Sequence, residues 1–181
     1  MKRIGKNTLE FEMPPTILGH AAIGGKKEAE GPLGADYDQT FQDTTLNTES
    51  WEKAEAQLQK EAVALALEKS GFTAGQMDVI FAGDLLNQCI SSTFGLLDFQ
   101  IPFLGQYGAC STMAQTLLLS AVMVESGAAE RAVAVTSSHF CSAERQFRTP
   151  LEYGAQRTPT AQWTATASGC AIVGKDGAVK I

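Results

Sequence analysis

Short apolar runs alternate with segments of helical periodicity, and this alternation constrains the fold more than any other feature. The runs at 79–83 and 131–136 predict buried strands. Residues 47–70 carry apolar side chains at helical spacing and predict an amphipathic helix, and 110–126 predict a second helix with almost no polar face. Alternating strands and helices are typical of an α/β layer with a largely parallel sheet.

The remaining segments complete this arrangement. Residues 85–97 predict a further helix, 101–107 a strand that Pro102 places near an edge, and 164–173 a long strand followed by a hairpin turn at Asp176-Gly177 into 178–181. Residues 1–47 hold several Pro and Gly turns and are interpreted as an irregular segment packed on the core, with at most one short strand within 15–22. Residues 48–181 then form the α/β domain.

Charge and apolar content exclude several classes of protein. The formal charge of −6 and the lack of a Lys/Arg run argue against nucleic-acid binding. No apolar run approaches membrane-spanning length, and the basic N-terminus lacks the apolar part of a signal peptide, so a cytoplasmic protein is expected. No CxxC pair, phosphate loop or dinucleotide fingerprint is present, so neither a metal nor a cofactor is expected.

Cys110 is the strongest candidate for chemistry. It follows a predicted strand and a glycine turn and opens the predicted helix 110–126, where backbone N–H groups and the helix dipole favour a thiolate or a bound anion. The layout of strand, turn, nucleophile and helix resembles a nucleophile elbow. The alternative is a small cysteine that fits a buried position.

Polar residues at two other strand ends are further candidates. Asp84 and Asn87 follow the strand 79–83, and His139 follows the strand 131–136, so they lie at the edge where parallel sheets bind ligands. Asp84 can instead cap the next helix, and His139 can be a hydrogen-bonded structural residue. Arg145 and Arg148 can bind carboxylates, or form ordinary surface ion pairs.

Several linked motifs, in order and spacing, resemble the stage V sporulation protein AD family of endospore-forming bacteria. The resemblance runs from residue 1 to residue 181. Its motifs are Gly31-Pro32-Leu33-Gly34, Trp51-Glu52, Gly83-Asp84-Leu85-Leu86-Asn87-Gln88, Gly108-Ala109-Cys110-Ser111-Thr112, Thr136-Ser137-Ser138-His139 and Ala143-Glu144-Arg145-Gln146-Phe147-Arg148, followed by Pro150, Glu152-Tyr153-Gly154 and Gln156.

The resemblance implies a thiolase-like fold, in which two similar βαβαβαββ halves stack as five αβαβα layers. The element order here matches the first half, and a second half is expected to be absent from this chain. The counterpart of Cys110 in the related synthases is the acyl-accepting nucleophile. Those synthases usually carry Gly-Asp-Gly-Ala before their last strands, whereas this chain has Ala167-Ser168-Gly169-Cys170.

The family resemblance also implies a function. Members bind dipicolinic acid (pyridine-2,6-dicarboxylate) and support its uptake into the forespore with other proteins of the stage V sporulation A operon. A non-catalytic homodimer, peripheral to the forespore or spore inner membrane, is therefore expected. The alternatives are an acyltransferase of thiolase or ketoacyl-synthase type that uses Cys110 as nucleophile, and a structural subunit of a membrane-associated transport assembly.

A site for a flat dicarboxylate can be assembled from these candidates. The helix start at Cys110-Ser111-Thr112 offers N–H groups and a hydroxyl to one carboxylate, and His139 is the expected second donor. Asp84 is expected to orient a donor rather than to contact the ligand, and Asn87 lies beside it. Arg145 and Arg148 are the candidate cations.

Overall fold

A mixed sheet forms the centre of the computed structural model, which describes residues 1–147, 159–160 and 162–181. In this part of the chain the sheet has seven strands, in the order β4–β3–β8–β7–β5–β6, with β9 pairing to β3. The strands are β3 (Thr16–Gly24), β4 (Gln39–Thr40), β5 (Val79–Gly83), β6 (Phe103–Gly105), β7 (Ala132–Ser138), β8 (Ala167–Gly174) and β9 (Val179–Lys180). A separate antiparallel pair consists of β1 (Lys2–Ile4) and β2 (Thr8–Glu10).

The four strands predicted from apolar runs lie in this one sheet, as expected. β5 pairs in parallel with β6 on one side and with β7 on the other, whereas β7–β8 and β8–β3 are antiparallel. β6 is at the edge, which confirms the expectation drawn from Pro102. Pro102 itself precedes β6, where its carbonyl accepts a bond from the Ile80 N–H at 2.9 Å.

The first predicted helix is α2 (Trp51–Ser70), and both of its ends are capped. The Ser50 hydroxyl accepts a bond from the Lys53 N–H at 3.2 Å, and Gly71 ends the helix in the left-handed conformation at φ 73°. Ala54, Leu58 and Ala62 on the predicted stripe are fully buried against the sheet.

The helix after Cys110 is less buried than the sequence predicts. A 3-10 turn at Ala109–Ser111 leads into α4 (Thr112–Glu125), whose buried residues are Thr112, Thr116, Ser120, Ala121 and Val124. Leu118 is 49% exposed. Small side chains therefore face the sheet, and α2 rather than α4 is the more deeply buried helix.

The N-terminal segment is not irregular throughout, contrary to expectation. β3 is a nine-residue strand between β4 and β8, and a short helix, α1 (Lys26–Ala29), follows it. The strand lacks a clear alternation because it is rich in Gly and Ala, which allow α2 to approach closely. A Cβ at Gly19 would lie 2.6 Å from the Ser70 Cβ.

Two other expectations are wrong in detail. The helix expected over 85–97 is reduced to α3 (Ile90–Gly95) between 3-10 turns, because Gln88 and Cys89 have positive φ angles of 62° and 50°. The last strand, β9, pairs with β3 instead of forming a hairpin with β8. The Gly177 N–H donates to the Thr16 hydroxyl at 2.7 Å and thereby directs the chain across the start of β3.

The segment after β7 forms α5 (Phe140–Phe147). No helix in the described part of the chain has both the length and the apolar character needed to cross a membrane.

Candidate functional site

A cavity of about 510 Å³ opens where β5 and β7 end and α4 begins. Its position is the one that parallel strand ends predict for a ligand. The lining comes from three regions: Gly83, Asp84 and Leu85 after β5; Ala109, Cys110, Thr112 and Met113 at the helix start; and Thr136, Ser137, Ser138, Gln162, Trp163, Thr164, Ala165, Ala167 and Gly169 around β7 and β8. We call this the Cys110 cavity.

Cys110 lies at the wall of this cavity as an exposed free thiol. It is the middle residue of the 3-10 turn, and Ala109 before it has a positive φ of 48°. Such a backbone conformation is uncommon for a residue other than glycine, asparagine or aspartate and often marks a functional turn. The turn therefore presents the thiol to the cavity at the start of α4.

Close backbone packing holds this turn against the end of β5. A Cβ at Gly83 would lie 2.1 Å from the Gln106 carbonyl oxygen and 2.6 Å from the Thr112 Cγ2. The Gln106 N–H also donates to the Ala82 carbonyl at 2.8 Å. Only glycine fits at position 83 without a shift of the chain that carries Cys110.

The expected donors next to Cys110 are already bonded within the turn. The Ser111 N–H and hydroxyl both donate to the Gly108 carbonyl, at 3.0 and 2.8 Å. The Thr112 hydroxyl donates to the Ala109 carbonyl at 2.8 Å and accepts from the Gly108 N–H at 3.1 Å. Thr112 lines the cavity, but its hydroxyl stabilises the turn, and Ser111 is exposed outside the cavity lining.

Asp84 is a structural cap, which is the alternative that its sequence position allowed. It is 2% exposed, and its Oδ1 accepts from the Leu86 N–H at 2.8 Å. Its Oδ2 accepts from the N–H and hydroxyl of Ser92, at 2.8 and 2.6 Å. These bonds fix the first turn of α3, and the carboxylate is engaged there rather than with a histidine or an arginine, contrary to the expected orienting role.

Asn87 lies outside the Cys110 cavity. It is exposed, and its N–H donates to the Gln146 Oε1 at 3.2 Å. It therefore links the loop after β5 to α5 rather than contacting the expected ligand.

His139 does not reach the Cys110 cavity either. It is 1% exposed; its Nε2 lies 2.7 Å from the Thr44 carbonyl and its Nδ1 accepts from the Cys141 N–H at 3.2 Å. The carbonyl partner requires a proton on Nε2, and the Cys141 N–H requires a lone pair on Nδ1, so the ring is neutral. Burial lowers its pKa, which further favours that state.

His139 instead lines a second cavity of about 340 Å³, which we call the His139 cavity. Trp163 and Thr164 line both cavities and form the wall between them. The other lining residues of the His139 cavity are Lys26, Lys27, Glu28, Glu30, Thr44, Phe140, Cys141 and Thr166.

Arg145 lies on the surface between α5 and α2. Its guanidinium forms an ion pair with Glu52, and its Cζ lies 5.4 Å from the centre of the Trp51 ring. Arg145 is not among the residues that line either cavity. Arg148, the other candidate cation, lies outside the described residues.

Buried polar residues of α2 are the part of the site that the sequence reasoning missed. Glu55 and Gln59 are fully buried. The Gln59 Nε2 donates to the Gly83 carbonyl and to the Ser137 hydroxyl, both at 3.1 Å. The sequence did hold a signal for them: Glu55 and Gln59 adjoin Ala54 and Leu58 on the apolar stripe of α2, where a polar side chain is expected to be buried. Trp163 was also missed, since no local pattern marks it.

The Glu55 carboxylate receives hydrogen bonds from two serines. Its Oε1 accepts from Ser137 at 3.2 Å and its Oε2 from Ser142 at 2.7 Å. Burial nevertheless raises the pKa of Glu55 to about 7, and the nearby charge of Asp84 adds to the increase. No cluster of three or more potential metal ligands occurs within 1–147, 159–160 and 162–181.

The fold is shared with β-ketoacyl synthases of known structure. A 3-oxoacyl-[acyl-carrier-protein] synthase III from Aquifex aeolicus VF5 matches 90% of this chain and 54% of its own, at 13% identity and a TM-score of 0.61. A variant of OleA from Xanthomonas campestris, with bound lauric acid and lauroyl-CoA, matches 90% of this chain and 56% of its own, at 9% identity and a TM-score of 0.59. At these identities the likeness shows the thiolase-like α/β fold alone, as the sequence predicted.

Sequence comparison identifies the family. The family model for stage V sporulation protein AD matches residues 5–181. The stage V sporulation protein AD of Bacillus subtilis (strain 168) is 44% identical over 173 residues, which are 96% of this chain and 51% of that protein. The chain thus spans about half the length of this curated relative. It belongs to the stage V sporulation protein AD family.

Proposed function

We propose that this protein binds dipicolinic acid in the Cys110 cavity and supports its uptake into the forespore. Family membership supplies the link to sporulation. The observation that carries the proposal is a cavity of about 510 Å³ that combines apolar surface from Met113 and Trp163 with the polar side chains of Cys110 and Gln162. Such a wall suits the flat ring of dipicolinate, and an amide N–H can donate to one of its carboxylates.

The proposal assigns binding rather than catalysis to this cavity. A cysteine nucleophile needs a base within reach. Among the described residues, no histidine, lysine or arginine lines the Cys110 cavity, and the carboxylate of Asp84 is held by three hydrogen bonds. In this proposal Cys110 is a small wall residue with a polar thiol.

Isothermal titration calorimetry with dipicolinate tests the proposal. Saturable binding is expected, and pyridine, which lacks both carboxylates, is the matched control ligand and is expected not to bind. Cys141→Ala is a control variant that should bind dipicolinate as wild type does, because Cys141 lines the His139 cavity and not the Cys110 cavity. Equal heats for dipicolinate and pyridine would contradict the proposal.

Acyl transfer is the second candidate, favoured by one observation. Cys110 is exposed in a turn at a helix start beside a cavity, and the fold is that of known β-ketoacyl synthases. In such a step the Cys110 sulfur would form a thioester with the acyl group, and the free thiol of coenzyme A would leave with the proton. Incubation with radiolabelled acyl-CoA distinguishes the candidates, since acyl transfer requires a covalent label that Cys110→Ala abolishes.

The protein acts in this proposal as a homodimer at the inner membrane of the forespore, alongside other proteins of the stage V sporulation A operon. The edge strand β6 supports the dimer, because its outer side carries no paired strand among the described residues and Leu104 is 48% exposed there. Sedimentation equilibrium tests the dimer, and co-sedimentation with forespore membranes tests the location. If the protein is instead a structural subunit of a membrane-associated assembly, it should co-sediment with membranes but show no dipicolinate binding by calorimetry.

A further inference from the structure

Thr136 lies on the face of the sheet that carries the Cys110 cavity. The next residue of β7, Ser137, bonds to Glu55 and Gln59 of α2. Because side chains alternate along a strand, the Thr136 side chain points to the opposite face, where α4 packs. Its hydroxyl lies 3.7 Å from the Met113 Sδ of α4, and both residues line the cavity.

The Thr136 hydroxyl has the weakest acceptor among the hydroxyl groups of the cavity lining. The others donate to oxygens: Thr112 to the Ala109 carbonyl, Ser137 to the Glu55 carboxylate, Ser138 to the Ala165 carbonyl and Thr164 to the Glu144 carboxylate. Within the described chain the acceptor for Thr136 is the Met113 thioether, and sulfur accepts weakly. A carboxylate oxygen is a far stronger acceptor, so a ligand carboxylate can take this donor from the sulfur.

Gly169 leaves open space beside this hydroxyl. It is the residue of β8 that pairs directly with Thr136 of β7. A side chain at position 169 would therefore stand on the same face of the sheet, about 5 Å from the Thr136 Cβ. A Cβ placed there would have no atom within 4 Å, and Gly169 also lines the Cys110 cavity. A ligand in the cavity thus has room to approach the Thr136 hydroxyl.

We propose that Thr136 is a ligand-binding residue of the Cys110 cavity, whose hydroxyl donates to a carboxylate oxygen of dipicolinate in the space that Gly169 leaves open. The inference rests on the proposed function and names the donor for one carboxylate. The thioether of Met113 and the bare backbone of Gly169 offer little competing polarity, which strengthens a hydrogen bond formed there.

Calorimetry with dipicolinate on three variants tests the donor. Thr136→Val keeps the branched shape that suits a strand but removes the hydroxyl, so binding should weaken by about tenfold or more. Thr136→Ser keeps the hydroxyl and should bind within about threefold of wild type. Thr116→Val makes the same replacement at a buried residue outside the cavity lining and should leave the affinity unchanged. Wild-type affinity in Thr136→Val would overturn the proposal.

Met113→Leu separates a direct contact from a positioning role. Leucine has a similar volume and no sulfur, so the Thr136 hydroxyl loses its partner in the free protein while the wall of the cavity keeps its size. Dipicolinate should then bind within about threefold of wild type, or more tightly. A loss as large as that in Thr136→Val would show that Thr136 only holds Met113 in place and would overturn the proposal.

Gly169→Ala and Gly169→Val test the open space without changing the donor. The new Cβ meets no atom, so the melting temperature of Gly169→Ala should match that of wild type. Dipicolinate affinity should fall in Gly169→Ala and fall further, by more than about tenfold, in Gly169→Val. Wild-type affinity in Gly169→Val would overturn the placement of the carboxylate beside Thr136.

The same titrations distinguish this inference from the proposed function. Absence of dipicolinate binding to the wild-type protein would overturn both together. Binding that is lost in Cys110→Phe but retained at wild-type affinity in Thr136→Val would overturn the role of Thr136 alone. Binding that is lost in Cys110→Phe and weakened in Thr136→Val, with Thr136→Ser near wild type, is the result that the proposal predicts.

Discussion

The Ser137 hydroxyl donates a hydrogen bond to the Glu55 carboxylate at 3.2 Å and accepts one from the Gln59 amide at 3.1 Å. All three side chains are buried, with Glu55 and Gln59 on α2 and Ser137 in β7. Ser137 also lines the Cys110 cavity. The hydrogen bonds therefore join α2 to the strand end beneath the candidate site.

Glu55 is predicted to make stability depend on pH. Its pKa is raised by burial to about 7 in the folded protein, so folding favours the protonated form. This contribution to the free energy of unfolding is complete below the usual pKa of glutamate and is lost as the pH rises through about 7. Urea titrations between pH 5 and 8 should show that the free energy of unfolding decreases by an amount on the order of 2–3 kcal/mol because of this group.

Glu55→Gln is the control for that prediction. The glutamine keeps hydrogen-bonding atoms near Ser137 and Ser142 but cannot ionise, so most of the decrease with rising pH should disappear. Comparing the two proteins at each pH removes the contributions of other groups, including His139. An equally steep decrease in Glu55→Gln would contradict the prediction.

Gly83→Ala is predicted to disturb both the fold and the cavity. The new Cβ would collide with the Gln106 carbonyl at 2.1 Å, so the turn that presents Cys110 must shift. Thermal denaturation should show that the free energy of unfolding falls by an amount on the order of 1–3 kcal/mol. Calorimetry should show weaker dipicolinate binding. Gly75→Ala is a matched control, because a Cβ there has no atom within 4 Å. Similar losses in the two variants would show that close packing at Gly83 is not the cause.

Arg145→Ala is predicted to leave dipicolinate affinity unchanged, because Arg145 pairs with Glu52 at the surface. The side chain is 49% exposed, so its loss should cost no more than about 1 kcal/mol of stability. A double-mutant cycle with Glu52→Ala measures the pair, and calorimetry measures the ligand. A large loss of dipicolinate affinity in Arg145→Ala would contradict this prediction and indicate that Arg145 belongs to the dipicolinate site.

Local signals in the sequence were sufficient for part of this structure. The apolar stripe, Ser50 and Gly71 define α2, and the apolar runs define β5 and β7. β3 could not be predicted in the same way, since it lacks a regular alternation and Gly19 is required by the close approach of Ser70 of α2, which no local pattern reveals.

The site depended on contacts between distant parts of the chain. The sequence predicts that Cys110 follows a strand and lies at a helix start, and in the structure Cys110 lines a cavity beside strand ends. It could not reveal that the Thr44 carbonyl, 95 residues before His139, would bind that ring. The pairing of Arg145 with Glu52 is equally remote in sequence and removes another candidate from the cavity.

The most direct test of the account is dipicolinate binding to Cys110→Phe compared with wild type and Cys110→Ala. Phenylalanine at this exposed position fills part of the cavity, so calorimetry should show binding in wild type, an affinity within about tenfold of wild type in Cys110→Ala, and none in Cys110→Phe. Cys141→Phe, in the His139 cavity, should leave the affinity unchanged. Wild-type affinity in Cys110→Phe would contradict the assignment of dipicolinate to the Cys110 cavity.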